Sequence, residues 1–322
     1  MKKIIVITTG GTIAMKYDEE VKGLVPAVSG DDLIKAVPAL KDLAQIEVKE
    51  FANVPSGYMT PQMMFDLAKK IDAYAADEAV TGFIVTHGTD TLEETAYMLD
   101  MATSTQKPIC VTGAMRGASE TSPDGPGNIL AAVQTAIAKD AYGQGVLVVL
   151  NDEIHTAEEV TKTHSTSVKT FDSPFWGPIG RVYFDRVIIK RRPLNLKKIK
   201  SDKIVEDVHL LKAVAGMDDY LLNCLIQKKV KGIVVEAFGC GNVSPLIKRG
   251  IEEARAQGIP VVLATRVHGG SVVPAYSYEG SANSMKGAGL ILANELSGPK
   301  ARLKLMVLLG MTNDINEMQK FF

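Results

Sequence analysis

Short apolar runs rich in Val and Ile recur along the chain, each closed by a turn and followed by a stretch of helical periodicity. Lys3–Thr8, Ile46–Phe51, Gly82–Thr86, Pro108–Thr112 and Gly145–Leu150 read as buried strands. Between them, Met64, Leu67, Ala68, Ile71 and Ala75 fall at helical spacing after Thr60-Pro61, a good N-cap and first-turn pair. Ser29 before Asp32, and Asp90 before Glu93, look like further helix starts. Alternating strands and helices imply right-handed βαβ units, hence an α/β protein with a mostly parallel sheet. Composition shifts at the basic stretch Lys190–Lys203, which reads as an exposed connector. The alternation then resumes with Gly232–Ala237, Ile259–Ala264 and a last apolar segment near Leu303–Leu309. The expected division is an N-terminal α/β domain over 1–190, a linker over 191–212 and a smaller C-terminal α/β domain over 213–322.

Composition narrows the class. The 322 residues are 46% hydrophobic and carry 36 basic against 37 acidic side chains, a net charge of −1. That balance argues against a nucleic-acid partner, and the single basic tract has no interleaved aromatics. No apolar run approaches the roughly 18–20 residues of a membrane span, so no membrane partner is expected. The N-terminal apolar stretch stops at Thr8 with no cleavage site after it; it reads as a strand rather than a leader, and a cytoplasmic location is expected. Cys110, Cys224 and Cys240 show neither a disulfide framework nor metal spacing, and neither metal nor cofactor is expected.

In such folds ligands bind beyond the carboxyl ends of the strands. Those ends carry Thr8-Thr9-Gly10-Gly11-Thr12-Ile13-Ala14, then Asn53–Tyr58 with Ser56 and Gly57. They continue with Thr86-His87-Gly88-Thr89-Asp90-Thr91, Thr112-Gly113-Ala114-Met115-Arg116, and Asn151-Asp152-Glu153 with Thr161-Lys162-Thr163 shortly after. Each cluster is weak alone, but their common place on one sheet edge is a signal. The first turn lacks the glycine spacing of a phosphate-binding loop. It is either a tight turn satisfied by its threonines or a device that brings the Thr12 hydroxyl to a substrate. Asp90 is either a helix N-cap or part of a site at that helix start, with Thr89 beside it.

A threonine hydroxyl needs a base to become a nucleophile. Five histidines are available (His87, His155, His164, His209 and His268), of which His87 and His164 lie nearest the motifs. Lys162 is the other candidate. An ordinary lysine, with a pKa of about 10.4, is protonated at neutral pH and needs its surroundings to release the proton. A Thr-Lys-Asp chain could relay one, and the sequence leaves the choice open. No paired carboxylates, no Gly-x-Ser-x-Gly elbow and no metal-ligand cluster point elsewhere.

Thr9-Gly10-Gly11-Thr12-Ile13-Ala14 and Thr86–Thr95 resemble the two signature segments of the bacterial-type L-asparaginases. Thr112–Arg116, Asp124-Gly125-Pro126 with Asn128, Asn151-Asp152, Val160–Thr163, Gly239–Val243 and Lys300–Arg302 extend the resemblance over essentially the whole chain. The resemblance implies an N-terminal catalytic domain, a smaller C-terminal domain, and homotetramers built as dimers of dimers with active sites at the dimer interface. It implies that Thr12 attacks the side-chain carboxamide of L-asparagine, and that Thr89, Lys162 and Asp90 activate the nucleophile or water. Asp90 would hold the α-ammonium and Ser56 the α-carboxylate. Gly57 and Gly88 would line the pocket, Ala114 would offer backbone contact to the amide, and Asn242 would support the site from a neighbouring subunit.

The sequence departs from the family pattern in three places. Gly57 stands where many relatives have Gln, Tyr17 matches the loop tyrosine only loosely, and the partner-subunit glutamate has Glu279 or Ser277 as its counterpart. Weak glutaminase activity is compatible with these departures. Two other readings share the motifs: a tRNA-linked amidotransferase subunit, which carries an additional N-terminal domain, and an amino-acid sensor that keeps the pocket without turnover.

Overall fold

A computed structural model describes residues 1–18, 20–26, 29–193 and 197–322, and the side chains of all of these except 14–18 and 23–26. The chain divides into two compact units, Met1–Lys198 and Ile199–Phe322.

The first unit is built on an eight-stranded sheet. Its order is Arg186–Ile189, Gly180–Tyr183, Glu153–Thr156, Val146–Leu150, Ile109–Thr112, Val80–Thr86, Lys2–Thr8 and Ala44–Glu50. The last five in that order pair in parallel; the first three are antiparallel additions. Parallel strands are covered on both faces, which is why Ile4–Ile7 and Phe83–Val85 read as unbroken apolar runs. Ile4, Val6, Ile84, Cys110, Leu147 and Val149 face one side, where the helix Gly125–Ile137 packs through Ile129, Ala132, Val133 and Ala136. Ile5, Ile7, Phe83, Val85, Val111 and Val148 face the other, against Leu67, Ala68 and Ile71 of the helix Pro61–Ala75 and Leu92, Ala96 and Leu99 of the helix Leu92–Ala102. The helix starts at Thr60 and Ser29 are as read: Thr60 Oγ1 accepts from Met63 N at 3.2 Å and Ser29 Oγ from Asp32 N at 3.1 Å.

Four expectations are corrected. The segment Asn151-Asp152-Glu153 is not a simple strand end. Asn151 and Asp152, at φ 51° and 60°, form a two-residue hairpin turn, and Glu153 begins the returning strand. The apolar run Leu303–Leu309 lies in the helix Gly298–Met311, not in a strand. Leu303 and Leu305–Leu308 are all fully buried, and a helix buried all round loses the periodicity that would distinguish it from a strand. The basic stretch after residue 190 is not uniformly exposed, because Arg191 forks onto both carboxylate oxygens of Glu159 at 2.7 Å and Ile199 is buried. Finally, the strand Val208–Lys212 lies inside the stretch read as linker, its four apolar or amphipathic residues masked by charged neighbours.

The second unit has a four-stranded parallel sheet in the order Val208–Lys212, Gly232–Ala237, Val261–Thr265 and Ile291–Leu292. The helices Tyr220–Gln227 and Pro245–Ala256 supply Leu222, Ile226, Ile247 and Ile251 to its core. No described helix is long and apolar enough to cross a membrane.

Candidate active site

Glycine lets the loops at the carboxyl edge of the first sheet approach one another at backbone distance. Gly10 and Gly11 have φ of +99° and +87°, a region that side chains other than glycine rarely adopt. A Cβ on Gly11 would sit 2.3 Å from Cα of Gly88, and one on Gly10 would sit 2.5 Å from the backbone N of Val54. The residues that follow these contact points are Thr12 and Thr89. Hydrogen bonds hold the same junction: Thr9 N and Oγ1 both donate to the Thr86 carbonyl (3.1 and 2.9 Å), Val54 N donates to Thr9 O, and Thr91 Oγ1 donates to Ser56 O at 2.7 Å. The Thr8–Ala14, Asn53–Tyr58 and Thr86–Thr91 segments thus form one joined surface. Thr12 opens a short 3-10 turn and is half-buried there.

Lys162 stands on a two-strand ribbon, Thr161–Lys162 paired with Phe171–Asp172. Its Nζ lies 2.9 Å from Thr89 Oγ1 and 2.7 Å from Asp90 Oδ1. The lysine side chain is 15% exposed and that of Asp90 78%, so the ammonium is shielded while the carboxylate faces outward. Asp90 is not the helix cap: Thr91 holds the N-cap position of Leu92–Ala102. The carboxylate is committed to the lysine instead. An ammonium has three donors and no acceptor, so both oxygens accept from it. For the nitrogen to take a proton from Thr89 it must first give one up, and Asp90 Oδ1 is an acceptor in reach.

His87 is closed to the role of base that the sequence left open. The fully buried ring donates from Nδ1 to the Gly88 carbonyl at 2.7 Å, so Nε2 is the acceptor and takes the Thr95 hydroxyl at 2.8 Å. Burial pushes its pKa down to about 4. His164 is exposed and ties its own loop, Nδ1 accepting from Thr166 N and Ser167 N.

This burial has a consequence for stability. Above pH 6.5 His87 is neutral folded or unfolded and contributes nothing to pH dependence. Below it the unfolded imidazole binds a proton that the folded one refuses until about pH 4. Acidification from pH 6.5 to 4 is therefore expected to cost up to about 3 kcal/mol through this one residue. Melting temperatures of the wild type and His87→Asn, which retains a donor for Gly88, should converge as pH falls through this window; parallel curves would refute the assignment.

The remaining predicted residues fall as follows. Ser56 is buried in a 3-10 turn beside Gly88, whose added Cβ would meet Ser56 Cβ at 2.8 Å. Gly57 is exposed with nothing within 4 Å of a notional Cβ, so there is open room beside it. Ala114 follows the Ile109–Thr112 strand and is buried. Tyr17 lies on the strand Met15–Asp18, and its side chain is outside the described residues. In the second unit, Asn242 is half-buried: its Nδ2 lies 3.8 Å from Cys240 Sγ, and its buried Oδ1 has no partner among the described residues. Glu279 is exposed and precedes Gly280, whose carbonyl accepts from Val243 N at 2.7 Å, so Glu279 and Asn242 belong to adjoining loops.

Sequence reasoning missed a buried polar cluster on the Glu153–Thr156 strand. Glu153 meets Arg181 at 2.5 Å and Lys169 at 3.3 Å, and His155 Nδ1 pairs with Ser173 Oγ at 2.9 Å. Ser173 directly follows the ribbon strand opposite Lys162, so the cluster anchors that ribbon. The alternation of Glu and His with Ile154 was the available signal.

Threonines, a lysine and an aspartate are thus gathered at the strand ends of a mostly parallel sheet in an α/β fold. Residues 3–195 match the family model described as Asparaginase, N-terminal, and residues 207–322 that described as Glutaminase/Asparaginase C-terminal domain. The chain belongs to the asparaginase family. It is 34% identical to L-asparaginase 2 of Bacillus subtilis over its full length and 86% of that protein. It is 32% identical to the glutaminase-asparaginase of Pseudomonas fluorescens biotype A, again over the whole chain and 90% of that protein. Among solved structures it superposes on a probable cytoplasmic L-asparaginase from Campylobacter jejuni with a TM-score of 0.88 at 34% identity, covering 100% of this chain and 99% of that one.

Proposed function

We propose that the chain hydrolyses L-asparagine to L-aspartate and ammonia. The observation that carries this is the Lys162 ammonium held between Thr89 Oγ1 and Asp90 Oδ1, on a loop in backbone contact with the one that presents Thr12. In the first step Thr12 Oγ attacks the side-chain carbonyl carbon. Its proton passes to the amide nitrogen, the C–N bond breaks, ammonia leaves and an ester to Thr12 remains. In the second step water attacks that ester, gives its proton back to Thr12 and releases aspartate. The Thr89–Lys162–Asp90 chain carries the proton in one or both steps.

The N-terminal unit is the catalytic domain in this reading. Asp90, whose carboxylate faces outward, pairs with the α-ammonium, and Ser56 binds the α-carboxylate. Gly57 and Gly88 line the pocket, Ala114 meets the carboxamide through its backbone, and Tyr17 joins the catalytic group. Asn242 and Glu279 complete it from a neighbouring subunit of a cytoplasmic homotetramer, a dimer of dimers.

Ammonia release should therefore be faster from L-asparagine than from L-glutamine. The extra methylene is worth about 1–3 kcal/mol, or roughly tenfold to two-hundredfold. The active preparation should have the mass of four chains by light scattering. Equal or greater turnover of glutamine would overturn the substrate assignment, and full activity as a monomer would overturn the shared site.

A further inference from the structure

Asp124-Gly125-Pro126 and Asn128 take no part in the scheme above, yet the side chains of Asp124 and Asn128 hold the backbone before and after Ala114. Asn128, 4% exposed, donates from Nδ2 to Gly113 O at 2.9 Å and to Asp124 Oδ2 at 3.2 Å, and accepts from Asn151 N at 2.9 Å through Oδ1. These bonds fix which way its amide faces, because a flipped group would set oxygen against the Gly113 carbonyl and NH2 against an N–H. Asp124 in turn accepts from Met115 N at 3.1 and 3.0 Å and from Arg116 N at 2.8 Å. Although it occupies the N-cap position of Gly125–Ile137, its side chain makes no cap bond there.

The peptides are trans, so each carbonyl points opposite to the N–H of the next residue. Since Gly113 C=O faces Asn128, the Ala114 N–H points away from Asn128. Since Met115 N–H faces Asp124, the Ala114 C=O points away from Asp124. The two side chains thus set the direction of both backbone groups of Ala114 without touching either. The Ala114 methyl belongs to the core. The residue is 1% exposed, yet among the described residues its N–H and C=O have no hydrogen-bond partner. Buried backbone groups are almost always paired. A donor and an acceptor without partners on one residue match a primary carboxamide, which offers one oxygen to accept and an NH2 to donate.

We infer that Asp124 and Asn128 are positioning residues that aim the Ala114 carbonyl at the leaving amide nitrogen, and so favour amides over esters. The inference rests on the proposed asparagine hydrolysis. An ester carries no N–H for that carbonyl and is insensitive to its direction, whereas an amide loses a hydrogen bond when the 114–115 peptide turns.

The test is kcat and KM for L-asparagine and for L-aspartate β-methyl ester in the wild type, Asp124→Asn and Asn128→Asp. Asp124 is only partly buried, so its isosteric variant should fold; Asn128→Asp acts on the 114–115 peptide through Asp124, because it removes the Nδ2 donor that holds Asp124 Oδ2 at 3.2 Å. The expected result is a loss of about tenfold to a hundredfold in kcat on asparagine with the ester changed less than about threefold. An equal loss on amide and ester, or undiminished asparagine turnover in a variant melting like the wild type, would overturn the inference alone. A wild type that releases no ammonia from asparagine would overturn the functional reading beneath it.

Discussion

Thr12→Ala is expected to lower asparagine turnover at least about a thousandfold while leaving the melting temperature close to that of the wild type. The residue is half-buried and opens a short turn whose shape is set by Gly10 and Gly11, so removing a hydroxyl and a methyl leaves the loop's backbone contacts in place. What disappears is the oxygen that forms the ester in the proposed mechanism. Thr12→Ser, which restores that atom, should recover part of the rate. Thr89→Val should fall by a comparable factor, because the isosteric change removes the oxygen that meets Lys162 at 2.9 Å. If the two threonines act in one reaction, the double variant should be little worse than either single one. Steady-state ammonia release measures the four variants against the wild type; a Thr12→Ala protein within tenfold of the wild type would remove Thr12 from the mechanism.

Lys162→Met carries the second large effect, about a hundredfold to ten-thousandfold in kcat, the range for losing a positioned acid or base. Methionine fills much of the same volume on the ribbon, and Phe171 opposite it keeps its place in the core. Both hydrogen bonds, to Thr89 and to Asp90, vanish together. Lys162→Arg preserves charge and reach but not chemistry, since a guanidinium does not give up its proton in proteins. Arginine should therefore rescue little. Its recovery of near-wild-type turnover would mean that the cation acts only through its charge, and the proton relay through Asp90 would have to be abandoned.

How much was legible in the sequence follows from burial. Strands covered on both faces, such as Ile4–Ile7 and Phe83–Val85, announce themselves as unbroken apolar runs, and the strand ends then locate the polar cluster. The antiparallel strands Glu153–Thr156, Gly180–Tyr183 and Arg186–Ile189 escaped because they are four residues long and carry Glu, His or Arg among their apolar positions. Their signal was the Asn151-Asp152 turn, a favoured two-residue hairpin connection.

At the site, residue types were readable and their pairings were not. Asp90 before a helix has the look of a cap, and only the position of Lys162, 72 residues away in sequence, turns it into the lysine's partner. His87 looks like a base until both ring nitrogens are seen to be occupied. Asn128 and Asp124 carry no chemistry in themselves, so their hold on the peptides around Ala114 emerges only from the geometry.

The most direct measurement is ammonia and aspartate release from L-asparagine by the wild-type protein, run beside its melting curve with and without the same ligand. The account predicts ammonia and aspartate in equal amounts, with product formation by Thr12→Ala slower by at least about a thousandfold under the same conditions. A protein whose melting temperature rises with asparagine or aspartate while no ammonia appears would be a sensor built on this fold, and the hydrolytic account would be wrong.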